Sequence, residues 1–151
     1  MRQSLLRLVS ENYPAVARDL LKPLLDICSL SREACGGDMD KFLILLVVGV
    51  RTTEHPEFRR LTQEELLSGD IPVFPGLATN VRSISDSLQI PKETVRRKVA
   101  ELVDAGWLAR TEAGLFFTAA AYRSLVPVRE AVERQAVLNF ETVDGLLRQK
   151  G

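Results

Sequence analysis

Along most of the chain, apolar residues recur every three or four positions, the period of a helix with one buried face. Val16, Leu20, Leu24, Ile27 and Cys28 form one such stripe. Pro14 suits its first turn, and Pro23 inside it is expected to kink the helix or split it in two. Gly36-Gly37 ends the stripe, and Asp38 is placed to cap the next helix, about Met39 to Glu54. Within that helix the run from Phe42 to Val50 is apolar all round, the pattern of an element buried on most sides. Its β-branched residues leave a buried strand as the alternative, and length decides for helix. Thr62 and Glu65 stand at capping-box spacing before a short helix that Gly69 closes. Residues 71–76, with two prolines, form an extended connector. Ala119 to Lys150 is helical again, interrupted at Pro127, and puts Val128, Val132, Ala136, Phe140, Val143 and Leu147 on one stripe.

Between these helical stretches the texture changes. Thr79-Asn80 can cap a helix that turns Val81, Ile84 and Leu88 inward, and Gln89-Ile90-Pro91 is a tight turn. Lys92 to Ala105 forms a second helix with Val95, Val99, Leu102 and Val103 inward, ended by Gly106. Residues 107–110 and 115–118 are β-prone runs around Thr111-Glu112-Ala113-Gly114, a hairpin with glycine in its turn. Helix, turn, helix, hairpin is the order of a winged helix-turn-helix.

Charge sharpens that reading. The chain of 151 residues is neutral overall, with Lys+Arg 20 against Asp+Glu 20, so any anion-binding surface must be a local patch. Residues 92–98 supply one: Lys92, Arg96, Arg97 and Lys98 against Glu93. With Val95 and Val99 inward, Lys92, Glu93, Arg96 and Arg97 project from the first turns, the part of a recognition helix that enters the major groove, and Lys98, deeper in the helix, is a further candidate DNA contact. Arg96 or Arg97 could fork onto guanine, and Thr94 could meet a phosphate or a thymine methyl. In the hairpin only Arg110 and Thr111 suit DNA; Glu112 at the tip would repel phosphate.

The stretch from Ile90 to Leu108 resembles the recognition helix and wing entry of bacterial winged-helix transcription regulators. Thr94-Val95-Arg96 and the ending Leu102-x-x-x-Gly106-x-Leu108 are similar to the GntR type. The arrangement, with helices on both sides of the module, resembles the MarR type. The resemblance implies DNA contacts at Lys92, Thr94 and Arg96, with Pro91 where the family often has a capping serine.

Other chemistry is sparse. Composition is ordinary for a globular protein, 46% hydrophobic and 26% charged. Two cysteines and one histidine, His55, cannot build a disulfide scaffold or a structural zinc site, so neither metal nor cofactor is expected. Cys28 and Cys35 could form a redox pair, but the reading taken is a buried Cys28 packing as a small hydrophobe and an incidental Cys35. No nucleophile motif or phosphate loop is present, so no enzymatic activity is expected. No signal peptide or spanning segment is read, which points to the cytoplasm with no membrane partner.

The expected architecture is therefore mostly α, in three parts. Residues 1–70 form a helical region for dimerisation or sensing, 77–118 the winged helix, and 119–151 a C-terminal helix packing on the first part. The expected function is a transcriptional regulator reading double-stranded DNA with helix 92–105, as a homodimer on a palindromic site. The alternative is a winged-helix interaction or assembly module that binds no DNA. A small-molecule effector is left open.

Overall fold

The computed structural model describes residues 1–151. It is mostly helical: α1 (Arg2–Glu11), α2 (Tyr13–Ala34), α3 (Met39–Thr53), a single 3-10 turn (Phe58–Arg60), α4 (Gln63–Ser68), α5 (Val81–Leu88) and α6 (Lys92–Asp104). An antiparallel hairpin follows, β1 (Leu108–Thr111) and β2 (Gly114–Phe117), then α7 (Ala119–Ser124) and α8 (Val126–Lys150). The helix ends are set locally. Asp38 accepts from the Lys41 amide at 3.0 Å, Thr62 and Glu65 close a capping box, and Asn80 accepts from the Ser83 amide at 2.9 Å. Pro23 does not split α2, which runs through it as one helix with the proline ring buried.

The chain divides into two compact units, Arg32–Val126 and Met1–Ser31 with Pro127–Gly151. These limits differ from the expected divisions at 70 and 119. Met39–Thr53 belongs with the hairpin because its apolar side is used there: Phe42, Ile44, Leu45, Val48 and Thr52 are buried as α3 packs on α5, α6 and β2. That helix is not buried all round, since Leu46 and Val50 are about half exposed.

The central unit has one continuous core. Ile44, Leu45 and Val48 of α3 meet Ile84 of α5, Val95, Val99 and Leu102 of α6, and Leu108 and Leu115 of the hairpin. Phe74, in the connector, is its largest fully buried side chain, ringed by Phe58, Phe117 and Tyr122 at centroid distances of 6.0, 6.3 and 5.6 Å. The connector is stitched to the hairpin by the Phe74 amide on the Phe117 carbonyl, 3.0 Å. The sheet gains a third short rung where the Leu115 amide donates to the Thr79 carbonyl at 2.9 Å. Gly114 makes that approach possible: its φ is +134°, and a Cβ there would lie 2.5 Å from the Thr79 oxygen.

The terminal unit is built differently. Leu8, Glu11 and Asn12 share a groove with Leu146 and Lys150, whereas Arg18, Lys22 and Asp26 share one with Leu138 and Glu141. Residue numbers rise along one helix as they fall along the other, so α2 and α8 run antiparallel. Its contiguous core cluster is Leu8, Val16 and Leu146, with Val9 and Leu20 packed against them. The stripe expected to face inward on α8 does so at Val128 alone. Val128, Ala131 and Leu146 are buried, while Val132, Phe140 and Leu147 are exposed. No helix of the chain is long and apolar enough to cross a membrane.

Candidate nucleic-acid interface

α5 and α6 pack on each other across a three-residue turn. Gln89 takes a left-handed conformation (φ 57°, ψ 37°), and its amide returns to the Ser85 carbonyl at 2.9 Å. The Ser85 hydroxyl donates to the Ile90 carbonyl at 2.6 Å and holds the next helix start in place. Val95 and Val99 are fully buried, which fixes the rotation of α6 about its axis. Lys92, Glu93, Arg96, Arg97 and Ala100 consequently face outward, and Thr94 is half-buried.

Electrostatics on this face are those of a cationic helix start. No side chain caps α6 at Pro91, so its first-turn N–H groups and partial positive charge stay open to solvent. Lys92 and Arg97 make no ion pair, whereas Arg96 pairs with Glu93 on the surface. An exposed pair of that kind is worth at most about 1 kcal/mol, so it yields readily to a stronger anion. Ala100 leaves the middle of the face low enough for close approach.

Lys98 is placed elsewhere. It turns toward α3 and pairs with Asp38, its side chain only 15% exposed. Beside it Lys41 bridges to Glu101 at 2.8 Å, so two ion pairs clamp α6 against the start of α3. Burial pushes the Asp38 carboxyl up, but hydrogen bonds from Lys98 and the Lys41 amide, with both ammonium charges, outweigh it and hold the group below the usual range. The hydrogen bond from Lys41, then its charge, likewise lowers Glu101. Lys98 is therefore a positioning residue for α6 rather than part of its free face.

The hairpin contributes less. Arg110 on β1 is exposed and unpaired. The Thr111 hydroxyl is committed to the turn, accepting from the Ala113 amide at 3.1 Å. Glu112 stands at the exposed tip. One basic residue escaped the sequence reading: Arg82, exposed and unpaired in the first turn of α5. The signal was available, since it stands in the first turn after the Asn80 cap just as Lys92 stands in the first turn of α6.

Neither thiol is in a disulfide. Cys28, expected to be packed, is exposed because it lies on the outer side of α2, and Cys35 is half-buried. Burial, then the Asp38 charge, raises the Cys35 thiol against the opposing pull of Lys41, which makes it a poor nucleophile. No group of three or more His, Cys, Asp or Glu residues is arranged to hold a metal ion. No protein-family model, curated protein or solved structure matches the chain.

Proposed function

We propose that the central unit is a winged helix-turn-helix that binds double-stranded DNA, with α6 in the major groove, and that the protein acts as a transcriptional regulator. The carrying observation is the free face of α6. Three exposed cations, Lys92, Arg96 and Arg97, surround an uncapped helix start on a chain with no net charge. Three features support the fold reading: the tight turn at Gln89, the hairpin directly after α6, and the Thr79–Leu115 rung that adds a third strand position. In this assignment Lys92 and Arg97 meet phosphates or base edges, and Arg96 leaves Glu93 to do so. Thr94 touches the backbone, Arg82 holds the flanking phosphates, and Arg110 makes a secondary contact. Glu112 turns the hairpin tip away from the minor groove.

The test is binding to a duplex of random sequence, followed by fluorescence anisotropy over a range of salt. Affinity should fall steeply with salt, and Lys92→Ala/Arg96→Ala/Arg97→Ala should flatten the slope by roughly one for each phosphate left without its cation. An unchanged affinity in the triple variant, or no salt dependence at all, overturns DNA binding and leaves the interaction module as the reading of the same fold.

A further inference from the structure

The terminal unit exposes what a core should hide. Helical geometry places the exposed apolar stripe of α8 (Val132, Phe140, Leu147, with Ala136 between) roughly 100° around the helix from its buried side. On α2, Leu21, Leu24, Leu25 and Cys28 are exposed and centre roughly 140° from Val16 and Pro23 in the same sense, with Leu24 nearest and Leu25 farthest. Because the two helices run antiparallel, rotations of the same sense from their facing sides carry both stripes to the same side of the pair. The opposite side carries Arg18, Asp19, Lys22, Asp26 and Glu141, with Leu138 the one large apolar residue among them. The helix pair thus has one charged side and one apolar side.

We propose that the apolar side is covered by a second copy of this chain, giving a four-helix bundle from α2 and α8 of each protomer. Three observations select that occupant. Five buried apolar side chains, Leu8, Val16, Val128, Ala131 and Leu146, are too few to hold three helices in place alone, and a matching apolar side would complete the core. The eight exposed side chains, at about 90 Å² each, come to about 700 Å² per copy, close to the ~800 Å² that one partner gives a standard-size interface. No charged residue falls within either stripe. The α8 pairs that border it, Arg129–Glu133 at 2.7 Å and Asp144–Arg148 at 2.8 Å, each join opposite charges on their own helix, so two copies meet without like-charge conflict. This inference does not depend on DNA binding.

Sedimentation velocity of the full chain at micromolar concentration should give a dimer of about twice 16.8 kDa. Leu24→Asp/Phe140→Asp should raise the dissociation constant at least 100-fold, while Lys22→Glu on the charged side leaves it unchanged. Cys28 supplies an independent readout, since it is exposed on the single chain and covered in the bundle. Its alkylation by N-ethylmaleimide, read by peptide mass against Cys35, should be at least ten times slower in the dimer than in the double variant. If that variant does not fold, the same comparison is made on the natural chain above and below its dissociation concentration. A natural chain that stays monomeric overturns the proposal. So does a dimer whose Cys28 reacts as fast as in the monomer, or one that survives both aspartates.

Discussion

The two units spend their apolar residues in opposite ways. The central one folds α3, α5, α6, α7 and the hairpin around a core of fourteen buried side chains. The terminal one buries five, Leu8, Val16, Val128, Ala131 and Leu146, and leaves eleven of the chain's sixteen exposed large apolar residues on its surface. Composition contributes, because α3 carries six Leu and Val in 15 residues against six in 22 for α2 and eight in 25 for α8. Geometry adds to it. A helix laid across a hairpin and two other helices has neighbours on several sides, whereas an antiparallel pair can cover only the side each helix turns to the other. Self-sufficiency in the first unit and incompleteness in the second follow from the number of layers.

The contrast breaks most visibly in the central core. Ile44→Ala removes a fully buried side chain where α3 meets the hairpin and should cost about 2–5 kcal/mol in chemical denaturation. A cost below about 1 kcal/mol would mean that the core is not continuous across α3. Gly114→Ala forces a Cβ onto the Thr79 carbonyl at a positive φ and should cost about 1–3 kcal/mol. Faster amide exchange at Leu115 would locate the damage in the third rung.

Lys98→Ala should cost about 1–2 kcal/mol at neutral pH, because it leaves the Asp38 carboxylate without its partner. The pH dependence has a defined sign. Asp38 is depressed in the folded chain, so its contribution is complete above its unfolded value of about 4 and disappears as pH falls through the lower folded value. Removing Lys98 leaves burial opposed only by the Lys41 amide and charge, so this acid-side loss should shrink in the variant. An acid profile identical to that of the natural chain would show that the clamp is not formed. The smallest change in stability belongs to Arg97→Ala, within about 0.5 kcal/mol for an exposed unpaired residue, yet it should lower the salt slope of DNA binding by about one. Stability and binding thus separate Lys98 from Arg97, two neighbours on one helix.

What the sequence revealed follows the range of the interactions. The caps at Asp38, Thr62 and Asn80 were legible because donor and acceptor lie three residues apart. The rotation of α6 was legible too, since Val95 and Val99 fix its buried side without reference to any partner. Lys98 was misplaced because its carboxylate lies 60 residues away, and a periodicity argument sees only that 98 is near 96 and 97. Phe74 went unnoticed in a proline-flanked connector, where no period exists to mark an inward position. The stripe on α8 was real, but periodicity reports that a face is apolar and not what covers it. The face turned to its own chain there includes Ala131, half-buried Gln135 and Asn139, a side that hydropathy alone does not select.

The shortness of the proposed reading head limits how much information it carries. Lys92, Arg96, Arg97 and Ala100 span little more than two turns, and the hairpin tip presents Glu112 rather than a cation. A face of that length addresses about four base pairs, roughly 8 bits, which occurs by chance every few hundred positions. Two copies on a palindrome double this to about 16 bits, still below the roughly 20 bits needed to single out one address among ~10⁶ competing sites. The remaining few bits would have to come from the mechanical compliance of the DNA between the two half-sites, read as bending cost at base pairs the protein never touches.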